Sequence, residues 1–288
     1  MKIAESTVVI TGATGGIGAA VAMQLSKLGA KLLLVARNID SLKALQHQLH
    51  TDTGRVHDYI SADITSKQGK VDVICHARMS QANILINAAG VSDFSRFESV
   101  TERSLNATMN INLLAPMMLS QLFLSGSSGE HLSEKCIVNV GSALGSIGFP
   151  CYSSYCASKF GLRGFSESLQ RELSNTKHKI FYFAPRATAT KINSEAANEM
   201  NFALGNAVDT PEAVAKALVK QIVKEKSRVT VGWPERLFVR INGFIPELVD
   251  SALRKKLEKI KRFAGLSPKK SYRFYEEGVD EFINHFFD

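Results

Sequence analysis

The chain has 288 residues, 45% of them hydrophobic and 22% charged, a composition that belongs to a folded globular protein and excludes a fibrous or disordered one. Its length suits one large α/β domain, because two small domains need a linker and residues 1–250 contain no low-complexity or Pro/Gly-rich break. The net charge of +8 is local: residues 251–273 hold nine Lys/Arg against Glu258, whereas residues 274–288 hold five acids and no Lys/Arg.

The apolar run Val8–Ile10 is too short for a signal peptide, and no stretch approaches the roughly 18 apolar residues of a membrane span, so a cytoplasmic location is expected. Cys75, Cys136, Cys151 and Cys156 lack C-x-x-C spacing and read as reduced thiols. His47, His50, His57, His76, His131, His178 and His285 are scattered, and no metal site is expected.

The first element, Thr7–Ile10, reads as a buried parallel strand. The turn Thr11-Gly12-Ala13-Thr14-Gly15-Gly16-Ile17-Gly18 follows, then a helix over Ala19–Leu28 closed by Gly29, then a second strand over Lys31–Val35. Glycines let backbone approach a pyrophosphate, and the helix start offers free N–H groups and partial positive charge. Such a turn alone is equally a tight strand-to-helix connection; the flanking strand and helix point it to a dinucleotide. At the end of the second strand stands Val35-Ala36-Arg37-Asn38, with no carboxylate to hold ribose hydroxyls. A guanidinium there suits a 2′-phosphate and favours NADP(H); the alternative is that Arg37 is a solvated loop residue.

Further on, a helix is expected over Leu105–Leu124, with Met117 and Met118 in its core or at a dimer interface, and a strand over Cys136–Val140. Ser142 follows that strand, at the carboxyl end where α/β sheets place ligand groups, and its hydroxyl can polarise a substrate carbonyl. Tyr155 and Lys159 lie four apart, one helical turn on the same face. The lysine charge favours the phenolate, which suits the tyrosine to proton transfer. An isolated Y-x-x-x-K pair reads as a core aromatic beside a surface charge; the company of Ser142, Asn112 and the glycine turn reverses that.

Together, T-G-x-x-x-G-I-G at Thr11–Gly18, N-A-A-G at Asn87–Gly90, Asn112, Ser142 and Y-x-x-x-K at Tyr155–Lys159 resemble the short-chain dehydrogenase/reductase family over about residues 5–235. The resemblance implies a Rossmann-like, doubly wound parallel sheet of about seven strands and a hydride transfer between nicotinamide and a carbonyl or alcohol. It implies a catalytic set of Asn112, Ser142, Tyr155 and Lys159, with Asn112 holding a water that connects Lys159 to solvent. Cofactor contacts carried over are Gly12, Thr14, Gly16, Ile17, Gly18, Arg37, Asp63 and Ile64 beside the adenine, Asn87, Gly90, Tyr155, Lys159 on the ribose, Pro185, and Thr190 on the carboxamide. Two positions depart from the family pattern: Arg186 replaces a glycine after Pro185, and Gly141 replaces a serine before Ser142. Homodimers or homotetramers, through the helices carrying Asn112 and Tyr155, are common in the family.

The wall Ala143–Tyr152 is apolar and suits a hydrophobic carbonyl compound, with Lys191–Asp209 as substrate lid and Met200, Phe202 and Leu204 as pocket residues. Thr210 and Pro211 read as cap and first residue of the next helix. A core strand over Arg228–Val231 ends the sheet, so the reading is a catalytic domain over 1–250 and a helical extension over 251–288, basic and then acidic. The aromatic, cationic segment from Trp233 onward looks like that of family members acting on lipid-like substrates. Its basic residues 251–273 suit peripheral contact with an anionic membrane or an acidic carrier protein; alternatively Trp233–Val249 covers the substrate pocket or a subunit interface, and Phe274–Phe287 is disordered or packs on a neighbour. No nucleic-acid recognition motif accompanies the charge. Two other functions remain open at this level: a 3-oxoacyl-carrier-protein-type reductase, and a non-catalytic NADP-binding sensor of the same fold.

Overall fold

The computed structural model describes residues 1–125 and 134–265. Seven described strands form one parallel sheet: β1 (Thr7–Thr11), β2 (Lys31–Ala36), β3 (Asp58–Ser61), β4 (Ile84–Asn87), β5 (Cys136–Val140), β6 (Lys179–Ala184) and β7 (Arg228–Thr230), in the order β3-β2-β1-β4-β5-β6-β7. The helices between them are α1 (Gly16–Lys27), α2 (Ile39–Thr53), α3 (Lys67–Met79), α4 (Glu102–Met109), a π turn (Asn110–Leu114), α5 (Ala115–Leu124), α6 (Ser153–Glu172), α7 (Glu195–Ala203) and α8 (Pro211–Val223). After β7 come α9 (Glu235–Phe244), α10 (Pro246–Arg254) and α11 (Leu257–Ala264).

Strand residues alternate between two apolar layers, as a pleat with both faces covered requires. Val8, Ile10, Leu32 and Leu34 pack with Val21, Leu25, Leu42, Leu49, Val214 and Leu218 of α1, α2 and α8. Val9, Leu33 and Val35 pack on the other face with Val73, Ile74, Leu119 and Phe123 of α3 and α5. The strand order reverses between β1 and β4, the place where an open α/β sheet leaves a crevice at its carboxyl edge.

Local chemistry sets the helix starts. Asn38, Ser66, Thr101, Ser194 and Thr210 each accept an N–H of the helix they precede. The first helix begins at Gly16, three residues before the expected Ala19, so the glycines form its first turn, and that start has no side-chain cap. The predicted helix Leu105–Leu124 begins at Glu102 and is interrupted by the π turn at Asn112. These 23 residues are long and apolar enough to span a membrane, but they lie within the helical layer against α3 and α6, with Thr108, Asn112 and Ser120 buried.

The chain after β7 folds back on the body. Asn242 on α9 donates to the Ser146 carbonyl at 2.9 Å. On α11, Ile260 and Ala264 are buried with Ala196, Ala197 and Met200 of α7. Of the basic stretch 251–273, residues Lys269, Lys270 and Arg273 lie outside the described residues, as does the whole acidic segment Phe274–Phe287.

Candidate active site

A cleft of about 470 Å³ opens at the carboxyl ends of β1, β2 and β4. Gly12, Thr14, Gly16, Ile17, Gly18, Arg37, Asp63, Ile64, Gly90 and Thr190 all line it. Its shape depends on missing side chains. Gly12 has φ +66°, and a Cβ there would lie 2.6 Å from Ala89 Cα. A Cβ on Gly18 would overlap the Gly12 carbonyl, and one on Gly16 would overlap the Thr190 methyl. The Thr11 hydroxyl ties the turn to the β4 loop by accepting the N–H groups of Ala88 (3.2 Å) and Ala89 (3.3 Å). The result is an open, glycine-walled cradle against an uncapped helix start, the arrangement that binds a pyrophosphate. On the β2–β3 side, Thr65 bonds the Asp63 carboxylate through its N–H (2.9 Å) and hydroxyl (2.7 Å), which holds that carboxyl below its usual range, with Arg37 adding attraction.

Two predicted contacts stand behind the wall rather than in it. Asn87 is buried, and its amide donates to Asn139 Oδ1 at 2.9 Å. Pro185 is buried too, and its carbonyl accepts the Ala143 N–H at 2.9 Å. Both residues brace strand ends that carry the site.

The second group meets the cleft at Gly90. A Cβ on Gly90 would lie 3.2 Å from Asn112 Oδ1 and 3.7 Å from Lys159 Nζ. Asn112 clamps the β4 loop from the π turn: its Nδ2 donates to the Val91 carbonyl and its Oδ1 accepts the Val91 N–H, both at 2.9 Å. The same Nδ2 reaches Ser158 Oγ at 3.0 Å, and Ser158 donates to the Tyr155 carbonyl at 2.7 Å. Such π turns concentrate at functional sites. Ser142 leaves β5 in an extended conformation; its hydroxyl accepts the Leu144 N–H at 3.1 Å and bonds the Tyr155 hydroxyl.

Lys159 Nζ donates to the Val140 carbonyl at 3.0 Å and lies 5.8 Å from the Tyr155 ring centre. Burial pushes its amine down to about 8. Burial also pushes the Tyr155 phenol up to about 12, partly offset by the Ser142 hydrogen bond. In the chain alone, Tyr155 is therefore a neutral phenol at pH 7.

Beyond the hydroxyls lies a packed apolar cluster. Tyr152 stands between Tyr155, at 6.0 Å between ring centres, and Phe94, stacked at 4.9 Å; Phe149 meets its edge at 6.0 Å. Leu144, Cys151, Cys156, Met200, Leu204, Ile260 and Phe263 pack in the same cluster. Phe202 does not: it is 89% exposed, because it follows Met200 by two positions and so faces away on α7.

A profile of short chain dehydrogenases matches residues 6–201. The chain belongs to this family of oxidoreductases. It is 29% identical over 238 residues to the 3-ketodihydrosphingosine reductase of Bos taurus, covering 78% of this chain and 70% of that protein. A short-chain dehydrogenase from Sphingobium yanoikuyae in complex with NADPH superposes with a TM-score of 0.71 at 24% identity, covering 94% of this chain and 100% of that chain. A short chain dehydrogenase/reductase from Burkholderia phymatum in complex with NAD gives 0.76 at 19%, covering 86% and 96%.

Within this short-chain dehydrogenase, Arg186 and Gly141 find their explanation in neighbours distant in sequence. The Arg186 guanidinium holds Asp209 and also reaches the Trp233 carbonyl (3.1 Å) and Glu235 (3.3 Å). Gly232, with φ +98°, leaves room for it: a Cβ there would lie 2.6 Å from Arg186 Cδ. Gly141 makes room for the ring of Tyr182. Sequence reasoning missed Tyr182, which shares no motif with the residues it touches, Ser158, an unspecified position inside the Tyr155–Lys159 motif, and the Thr11 hydroxyl, whose signal was its place at the head of the glycine turn.

Proposed function

We propose that this dehydrogenase binds NADP(H) and reduces the carbonyl group of an apolar compound, long-chain or steroid-like. The observation that carries the reading is the Ser142–Tyr155 hydroxyl pair, set between a glycine-walled cradle and a cluster of apolar and aromatic side chains. The bovine relative's substrate, 3-ketodihydrosphingosine, supports an apolar carbonyl compound; the structures carry NADPH in the Sphingobium protein and NAD in the Burkholderia one, so the NADP(H) reading rests on Arg37. Gly12, Thr14, Gly16, Ile17 and Gly18 would surround the pyrophosphate, Arg37 the 2′-phosphate, Asp63 and Ile64 the adenine, and Thr190, Gly90, Tyr155 and Lys159 the nicotinamide riboside. When bound, the nicotinamide supplies the hydride. Ser142 orients the carbonyl as charge develops on its oxygen. Tyr155, a neutral phenol, donates the proton, and Lys159 supports the resulting phenolate through its charge. Asn112 and Ser158 fix the segment through which that proton is replaced.

The test is NADPH consumption with 2-decanone and acetophenone. Tyr155→Phe is expected to lose at least about a hundredfold in turnover. Equal rates in the two proteins would remove Tyr155 from the reaction, and cofactor binding without turnover by the wild type would favour the sensor reading.

The same reading places the protein in the cytoplasm as an oligomer that visits a membrane. Leu114, Met118 and Phe160 are exposed on the π turn, α5 and α6, which suits a subunit interface. On α9 the side turned to the body carries Asn242 and Glu235, and the opposite stripe carries exposed Leu237 and Phe244 flanked by Arg236 and Arg240, with exposed Trp233 just before the helix. Arg254, Lys255 and Lys256 lie exposed on the next helix end, with Glu247 and Asp250 among them. An aromatic stripe edged by arginines fits an anionic bilayer. Co-sedimentation with phosphatidylserine vesicles, lost in Trp233→Ser/Phe244→Ser, supports this; binding to an acidic carrier protein but not to vesicles would select the 3-oxoacyl-carrier-protein alternative.

A further inference from the structure

Ser142 is the residue on which the proposed chemistry turns, yet its own backbone is held from outside the segment that carries it. Tyr182 lies on β6, opposite Asn139 in the sheet register, and points to the layer of α6, away from the face to which Phe181 and Phe183 point. It is 4% exposed. Its ring lies under the segment after β5: a Cβ on Gly141 would overlap the Tyr182 ring and hydroxyl, and a Cβ on Gly145 would overlap the hydroxyl. Gly145 is closed off on a second side, where a Cβ would stand 2.8 Å from the Lys159 carbonyl. The phenol then uses both of its hydrogen-bonding functions on one residue. It accepts the Ser142 N–H at 3.4 Å and donates to the Ser142 carbonyl at 3.3 Å.

We propose that Tyr182 is a positioning residue for Ser142: its phenol clamps the serine's peptide groups so that the Ser142 hydroxyl is held against Tyr155 and the substrate oxygen. This rests on the function proposed above and deepens it. The argument is one of geometry and completeness. The segment Gly141–Gly145 has two glycines and therefore little conformational restraint of its own. The Gly141 N–H reaches the Phe183 carbonyl at 2.7 Å and the Ala143 N–H the Pro185 carbonyl at 2.9 Å, so β6 and the residue that follows it already support the residues on either side. Tyr182 supplies what lies between them, for both the N–H and the carbonyl of Ser142. Burial raises the phenol above its ordinary range, so it remains a neutral donor and acceptor throughout the working pH. Tyr182 touches no atom assigned to the substrate or cofactor, and its influence on the reaction passes through Ser142.

Tyr182→Phe removes the hydroxyl and keeps the ring that fills the space under the two glycines. With 2-decanone and NADPH, kcat is expected to fall about tenfold while KM for NADPH stays within about twofold, since a displaced hydroxyl costs turnover and not cofactor binding. In 2-decanol oxidation with NADP+, the acidic limb of the kcat profile is expected to move to higher pH, because a loosened Ser142 stabilises the Tyr155 phenolate less; a purely structural role would leave that limb in place. Deuterium uptake in the peptide covering 141–148 should quicken about tenfold, through loss of the Ser142 N–H partner. Wild-type kcat with an unmoved pH limb overturns the proposal. Should the wild type turn over neither ketone nor alcohol, the functional reading fails by itself and uptake decides the clamp: unchanged exchange over 141–148 overturns it, faster exchange sustains it.

Discussion

Arg186 and Asp209 face each other in a two-pronged ion pair, Nε to Oδ2 at 3.0 Å and Nη2 to Oδ1 at 2.7 Å. Their backbones are joined as well: Asp209 N–H donates to the Ala187 carbonyl and Ala189 N–H to the Asp209 carbonyl, both at 2.9 Å. The segment between them, which carries Thr190, Ile192 and α7, is thus a loop closed at its neck. Glu235 and the Trp233 carbonyl join the same guanidinium, so the neck also anchors the start of the C-terminal helices.

Arg186→Ala should therefore loosen both ends at once. Asp209 and Glu235, with side chains only 17% and 23% exposed, lose their cation. A cost of about 2 kcal/mol is expected, a fall of roughly 4–8 °C in melting temperature. KM for the ketone should rise more than KM for NADPH. Asp209→Ala in the same background should add little, because the pair has already been broken; full additivity in thermal melts would contradict the clasp.

Arg37→Asp places a carboxylate where the cleft now offers a guanidinium. Loss of a charge-assisted contact of about 1.5–3 kcal/mol, with repulsion added, should lower the NADPH-over-NADH preference in kcat/KM by at least tenfold. Unchanged discrimination would show that the 2′-phosphate lies elsewhere.

Lys159 offers a pH test with a definite sign. Its folded-state pKa is depressed from 10.5 to about 8 by burial. Between those values the native chain binds fewer protons at this site than the unfolded chain, so this lysine makes stability rise with pH there. Below about pH 8 the cost of burying the ammonium is fully present. Lys159→Met should therefore abolish turnover yet melt higher than wild type at pH 7, with the advantage shrinking as pH approaches 10. A lower melting point at pH 7, widening with pH, would show that the Val140 hydrogen bond outweighs the burial cost.

Ile260 tests the apolar cluster beside Tyr155. It is fully buried against the cluster that holds Met200 and Tyr152. Ile260→Asp buries an unpaired carboxylate and should release α11 from α7, raising protease susceptibility near residue 257 and KM for 2-decanone several-fold. Ile260→Val should be close to wild type, at a cost of about 1 kcal/mol. Wild-type KM and protease resistance in the aspartate variant would place α11 outside the substrate site.

Legible in the sequence alone were the apolar runs that become β1, β2 and β5, the glycine turn after β1, the strand ends that carry Arg37 and Ser142, and the one-turn spacing of Tyr155 and Lys159. These are legible because period and spacing are local, and short motifs carry their own geometry. Tertiary structure decided the rest, because it depends on which distant side chains share a space. It set Asn87 behind the cleft wall beside Asn139, turned Phe202 outward, and packed α11 on α7. It also buried the Tyr155 phenol, which raises its pKa. Arg186 and Gly141, the two departures from the family pattern, gained meaning only when folding brought Asp209 and Glu235 to the one and the Tyr182 ring to the other.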